Sequence, residues 1–107
     1  MNILFYTEGV HYLLRNKKAI RATIERMCKE KGYTVENVNY ILCSKPVIKK
    51  TNIRYLNHHY CTDIITFPLS EDPKIITADI FVCIPVVLEN AKRFSTSAYN
   101  EVVRVLF

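Results

Sequence analysis

Asn52 to Pro68, N-I-R-Y-L-N-H-H-Y-C-T-D-I-I-T-F-P, contains the change of hydrophobic period on which the fold turns. Its first part closes a segment, Val47 to Leu56 (VIKKTNIRYL), that puts Val47 or Ile48, Thr51 or Asn52, and Tyr55 or Leu56 on related faces of a helix. Its last part opens Ile64 to Leu69 (IITFPL), whose β-branched and aromatic residues read as a strand. Asp79 to Ile84 (DIFVCI) has the same character, and Ser70 to Thr77 between them is long enough for a loose hairpin connection. These two strands are expected to be neighbours.

Upstream, Val38 to Cys43 (VNYILC) reads as a strand bounded by Ser44-Lys45-Pro46, and Asn2 to Thr7 (NILFYT) as the first strand, ended by Glu8-Gly9. Between them Ile20, Ile24, Met27 and Cys28 recur at helical spacing over Lys17 to Lys31, with Asn16 placed to cap the start and Gly32 the end. Lys17, Lys18, Arg21 and Arg26 are assigned to the solvated face of that helix. Downstream, Pro85 opens a helix through Phe94, and Ser95-Thr96-Ser97 offers N-caps for another in which Tyr99, Val102, Val103, Leu106 and Phe107 share an apolar face. That face reaches Leu106-Phe107 with no closing signal, so further chain is expected beyond it. The pattern predicts one domain over residues 1–107, an α+β fold with a small mixed four-stranded sheet packed with helices.

Half of the 107 residues are hydrophobic, and only two are Gly and four Pro, which supplies one core and argues against a disordered chain. The formal net charge of +5 favours phosphate polymers as partners without specifying one. Cys28, Cys43, Cys61 and Cys83 form no C-x-x-C pair, and three of them sit in apolar patterns. They read as reduced thiols of a cytoplasmic protein rather than as a zinc knuckle or a disulfide framework. No apolar run approaches the roughly 20 residues of a membrane span, and no membrane association is expected.

From Asn52 the chain resembles the pattern N-x-x-Y-R-x-x-D-x-x-T-D-V-L-S-F-P of the YbeY family. Asn52, Tyr55, Thr62, Asp63, Phe67 and Pro68 match it, and Ile64, Ile65 and Thr66 are near-equivalents. Ala78 to Val82 (ADIFV) is similar to the family's G-D-I-x-I strand, Ala91 falls on the alanine of its following helix, and Glu101 with Leu106, one position further along, resembles its E-x-x-x-L lead-in. Leu56 stands where the family has arginine, and His59 where it has aspartate. The resemblance implies a YbeY-like fold and a zinc-dependent single-strand endoribonuclease of ribosomal-RNA processing and small-subunit quality control. It also implies a three-histidine zinc motif, H-G-x-L-H-L-x-G-y-D-H, directly after position 107, so zinc is expected in a full-length member while this chain carries no ligands for it. Two alternatives stay open: a non-catalytic module that binds RNA or the ribosome, and a metal-dependent hydrolase of another class.

Lys45, Lys49, Lys50 and Arg54 are spaced to neutralise successive phosphates, and Tyr55 and Tyr60 offer stacking surfaces; the plainer reading is a solvated helix face. Lys49, Lys50, Arg54, Tyr55, His58 and His59 form the candidate RNA-binding set. His58 and His59 are adjacent, point in different directions and have no third ligand spaced to help, so no metal residue is assigned. His11 stands alone and reads as structural. Thr62 and Asp63 are the catalytic candidates, with Asp63 either orienting a reacting group or capping the turn into the strand; Asp79 has the same two readings.

Overall fold

Strand alternation decides which helix covers which side of the sheet. In the computed structural model, which describes residues 2–59 and 61–106 and only the backbone of Ala98, the order is β1 (Asn2–Glu8), α1 (Lys17–Glu30), β2 (Thr34–Cys43), α2 (Lys45–Leu56), β3 (Ile64–Pro68), β4 (Ile75–Cys83), α3 (Ile84–Arg93) and α4 (Ala98–Leu106). The four strands lie in the order β1-β2-β4-β3. β1 and β4 each pair with β2 in parallel, and β3 pairs antiparallel with β4, which makes the sheet mixed.

Residues of one parity, among them Ile3, Val38, Tyr40, Leu42, Ala78 and Val82, are buried on one face of the sheet. Ile20 and Ile24 of α1, Ile84 and Val87 of α3, and Val102 and Leu106 of α4 join them in the main core. Each such side chain, fully covered, contributes about 1.5–3 kcal/mol through removal from water. The buried Tyr40 hydroxyl donates to the Leu106 carbonyl at 2.7 Å and ties the last turn of α4 to the central strand. The opposite parity places Cys43, Ile65 and Cys83 on the second face under Ile48 of α2, a smaller cluster that Ile41, Val47, Phe67, Phe81 and Val86 flank.

The α+β class, the mixed four-stranded sheet and the β3–β4 neighbours agree with the sequence reading; several local expectations need correction. β2 begins at Thr34 rather than Val38, and β4 at Ile75 rather than Asp79, because the two added halves pair with each other from Thr34↔Ile75 onward across a bulge between Val35 and Asn37. Asn16 occupies the N-cap position of α1 in a left-handed conformation with no side-chain cap bond; its amide donates instead to the Tyr99 hydroxyl at 3.3 Å. Lys31 is the C-cap, and Gly32, at φ 82°, follows it in the left-handed turn that its lack of a Cβ permits. Arg21 is not a solvated cation: its Nε donates to the Ile3 carbonyl at 2.7 Å, and its guanidinium lies 5.3 Å from the centre of the Phe5 ring. His11 is exposed. Ser97 does cap α4, accepting from the Asn100 N–H at 3.1 Å. Phe107 and Tyr60 lie outside the described residues.

Candidate nucleic-acid interface

The site is built around α2, whose two ends are both fixed. Ser44 is extended and its hydroxyl accepts from the Val47 N–H at 3.4 Å, while Pro46 occupies the first turn, where a missing N–H costs no helical bond. At the other end Asn57 adopts the left-handed conformation (φ 54°), and the N–H groups of Asn57 and His58 reach back to the carbonyls of Ile53 and Asn52, each at 3.2 Å. Ile48 and Asn52 face inward; Asn52 is 1% exposed, and among the described residues no buried side-chain nitrogen or oxygen lacks a partner.

Lys49, Lys50, Arg54 and Tyr55 are consequently held on the outward side of α2, all exposed. The Arg54 guanidinium lies 5.4 Å from the centre of the Tyr55 ring, and that ring meets Phe67 of β3 edge-on at 5.4 Å. Phe67 in turn packs at a right angle on Phe81 of β4, with centres 5.9 Å apart. Lys50, Arg54, Tyr55, Phe81 and Glu8 line one groove of about 390 Å³ between α2 and the sheet. Lys49 lies outside it, beside Ile53. Lys45 leaves the basic set: its ammonium is paired with Glu89 of α3, and the hydrogen bond it donates to that carboxylate raises its pKa above the ordinary lysine value.

Beyond Asn57 the chain turns toward β3 around a second hollow of about 250 Å³, lined by Asn52, Leu56, His58, Thr62 and residues 64–66. His58 and Thr62 both line it, whereas His59 does not. The Thr62 hydroxyl donates to the Asp63 carboxylate at 3.4 Å, and the Asp63 carbonyl accepts from the Cys83 N–H at 2.8 Å. Asp63 thereby extends the β3–β4 ladder by one bond through its backbone. Asp79 lies on the opposite side of β4 from the main core, with Asn39 donating to its carboxylate at 3.0 Å. Near Asp63, Arg104 of α4 holds the buried Glu101 carboxylate at 3.0 Å through its Nε, and this bond keeps the Glu101 carboxyl below its usual range.

The residues present do not fit a three-histidine zinc centre. The chain contains no histidine after His59, and among the described residues no group of three His, Cys, Asp or Glu is placed to hold a metal. Burial pushes the Cys43 thiol up to about 12 and raises Cys83 beside it, so both stay protonated, as core thiols do. Phe67 and Phe81, the floor of the groove, and the Glu101–Arg104 pair are not among the site residues that the sequence points to. The signal for the two rings is strand parity, which puts them on the face that α2 covers.

A family model described as endoribonuclease YbeY matches residues 7–107. The endoribonuclease YbeY of Cytophaga hutchinsonii is 38% identical over 104 residues, covering 97% of this chain and 73% of that protein. That of Amoebophilus asiaticus is 32% identical over 105 residues, covering 98% and 71%. The solution structure of TM1509 from Thermotoga maritima aligns with a TM-score of 0.67 at 28% identity, over 95% of this chain and 66% of that one. The fold, the Asn52–Pro68 segment and these similarities together place the chain in the YbeY endoribonuclease family.

Proposed function

We propose that this chain acts in ribosomal-RNA maturation as the RNA-contacting scaffold of a YbeY-type endoribonuclease, in the cytoplasm, with RNA of the small ribosomal subunit as partner. The observation that carries this reading is the convergence of Lys50, Arg54 and Tyr55 on one groove of a chain that belongs to that family. Lys49, Lys50 and Arg54 neutralise phosphates, Tyr55 offers a ring to a base, and His58 and His59 meet the strand where it leaves α2 toward β3. Thr62 and Asp63 hold the loop in which a reacting phosphodiester would lie. A full-length member of the family uses zinc; the 107 residues, lacking a fitting ligand set, bind RNA without cutting it.

The test joins binding to cleavage. The 107-residue protein is titrated with single-stranded RNA at several salt concentrations, and the same RNA is then incubated with protein and added zinc. Three phosphate contacts give a log–log salt slope of about −2, so affinity falls about fifteenfold between 50 and 200 mM salt. The RNA remains intact. Zinc-dependent cleavage refutes the non-cutting part of the reading, and absence of salt-sensitive binding refutes the RNA part.

A further inference from the structure

The half of the second sheet face that α2 leaves uncovered has a chemistry of its own. α2 packs at the strand ends that carry Cys43 and Cys83. Along β1 the same face carries Leu4 and Tyr6, and Tyr6 is 50% exposed. Register places Tyr6, Ile41 and Phe81 in one row across β1, β2 and β4, and Leu4, Asn39, Asp79 and Phe67 in the next. Tyr6 and Phe81 are two strand spacings apart, about 10 Å. From Phe81 the rings continue through Phe67 to Tyr55, beside Arg54.

Resting on the RNA reading above, the geometry points to this open sheet face as a platform on which single-stranded RNA lies with its bases toward the strands. Its charges are sorted as such a ligand requires. The cations, Lys50 and Arg54, stand on the α2 rim, where a phosphate backbone is attracted. The carboxylate of Asp79 lies on the floor with Asn39, whose amide donates to it at 3.0 Å. A carboxylate there repels phosphate and accepts from the amino and imino N–H groups of bases. Glu8, at the end of β1 in the α2 groove, opposes phosphate in the same way and confines the backbone to the Lys50–Arg54 side. Tyr6 supplies a ring to one base at the far side, and sequence-tolerant stacking on such rings is the usual means of holding single strands. A protein partner fits this face less well. The rows Asn2–Asn37–Thr77 and Asn39–Asp79 break its apolar surface, and β2 and β4 are interior strands that cannot accept an added strand.

The test uses the 107-residue chain and a fluorescent single-stranded RNA of about ten nucleotides, with Tyr6→Leu, Tyr6→Phe and Tyr33→Ala beside the unsubstituted protein. Leucine keeps an apolar strand residue and removes the ring; phenylalanine keeps the ring; Tyr33 is an exposed tyrosine just before β2, beside α1 and so away from this face. Tyr6→Leu should weaken binding about 5- to 100-fold with an unchanged salt slope, the signature of a lost stack rather than a lost phosphate contact. Tyr6→Phe and Tyr33→Ala should bind as the unsubstituted protein does. Equal affinity of Tyr6→Leu and the unsubstituted chain overturns the platform while the α2 contacts stand. No binding by the unsubstituted chain overturns the platform together with the RNA reading beneath it.

Discussion

Leu56→Arg restores the side chain that the YbeY pattern has after its tyrosine, and the structure lets its effect be worked out in advance. Leu56 is 44% exposed and lines the hollow shared by His58 and Thr62. Little more than half the side chain is covered, so removing it forfeits at most about 1–1.5 kcal/mol of the ~1.5–3 kcal/mol for full burial. The arginine's own methylene stem recovers part of this. Against that stands one more cation facing the proposed path of the RNA. A single phosphate contact adds about 0.7 to the size of the salt slope of single-strand binding, moving it from about −2 toward −3. At 0.1 M salt the same contact tightens binding about fivefold. Fluorescence anisotropy at four salt concentrations measures both quantities, with Leu56→Gln as the uncharged control. If Leu56→Arg folds, as judged by circular dichroism, yet shows the slope of the unsubstituted chain, no phosphate passes the hollow and the assignment of His58 and Thr62 to the RNA path is wrong.

Three further predictions concern what holds the fold together. Tyr40→Phe removes a buried donor from the Leu106 carbonyl, which should cost about 1–2 kcal/mol and lower Tm by roughly 4–8 °C per kcal/mol in a domain of this size; a shift below 2 °C argues against the tie. Burial pushes the Tyr40 hydroxyl up to about 12, so this loss should be the same at pH 6 and pH 9. Gly9→Ala places a Cβ 2.6 Å from the Ser44 hydroxyl at a φ of 73°, and the combined backbone strain and damaged α2 cap should cost about 2 kcal/mol in a urea titration. Arg104 depresses the Glu101 carboxyl, so the stability from their pair is present above the ordinary glutamate pKa of about 4.3 and is lost as pH falls through the lower folded value. The stability gap between the unsubstituted chain and Glu101→Gln should therefore be full at pH 7 and close below about pH 4; a gap independent of pH removes the ionised pair from the explanation.

Period and composition were enough to locate every strand core and helix, because each depends on residues within one or two turns of itself. They failed where the partner is remote. Thr34 to Asn37 reads as polar until Ile75 and Ile76 are set beside Thr34 and Val35, and neither half-strand announces itself without the other. Arg21 looked like one of several solvated cations, since nothing local shows that its guanidinium reaches the Ile3 carbonyl on β1. Lys45 looked equivalent to Lys49 and Lys50 until α3 brought Glu89 against it. For the candidate site, the basic α2 face and Tyr55 were legible as a local run. The Phe67–Phe81 floor was not, because it requires the β3–β4 register to bring residues of two strands to one spot.

The same parity rule explains both the small core cluster and the groove next to it. On the α2 side of β3 and β4, Ile65 and Cys83 lie beneath the helix and become core; Phe67 and Phe81 flank that cluster, and Phe81 lines the groove while remaining half-buried. A twelve-residue α2 spans only about 18 Å, and its caps at Ser44 and Asn57 stop it from extending over the rest of the sheet. The length of one capped helix thus fixes where packing ends and where an aromatic, cation-rimmed surface begins. Leu56, the residue after Tyr55, carries α2 to the hollow of His58 and Thr62, so the features that stabilise α2 also set the direction of the proposed RNA path.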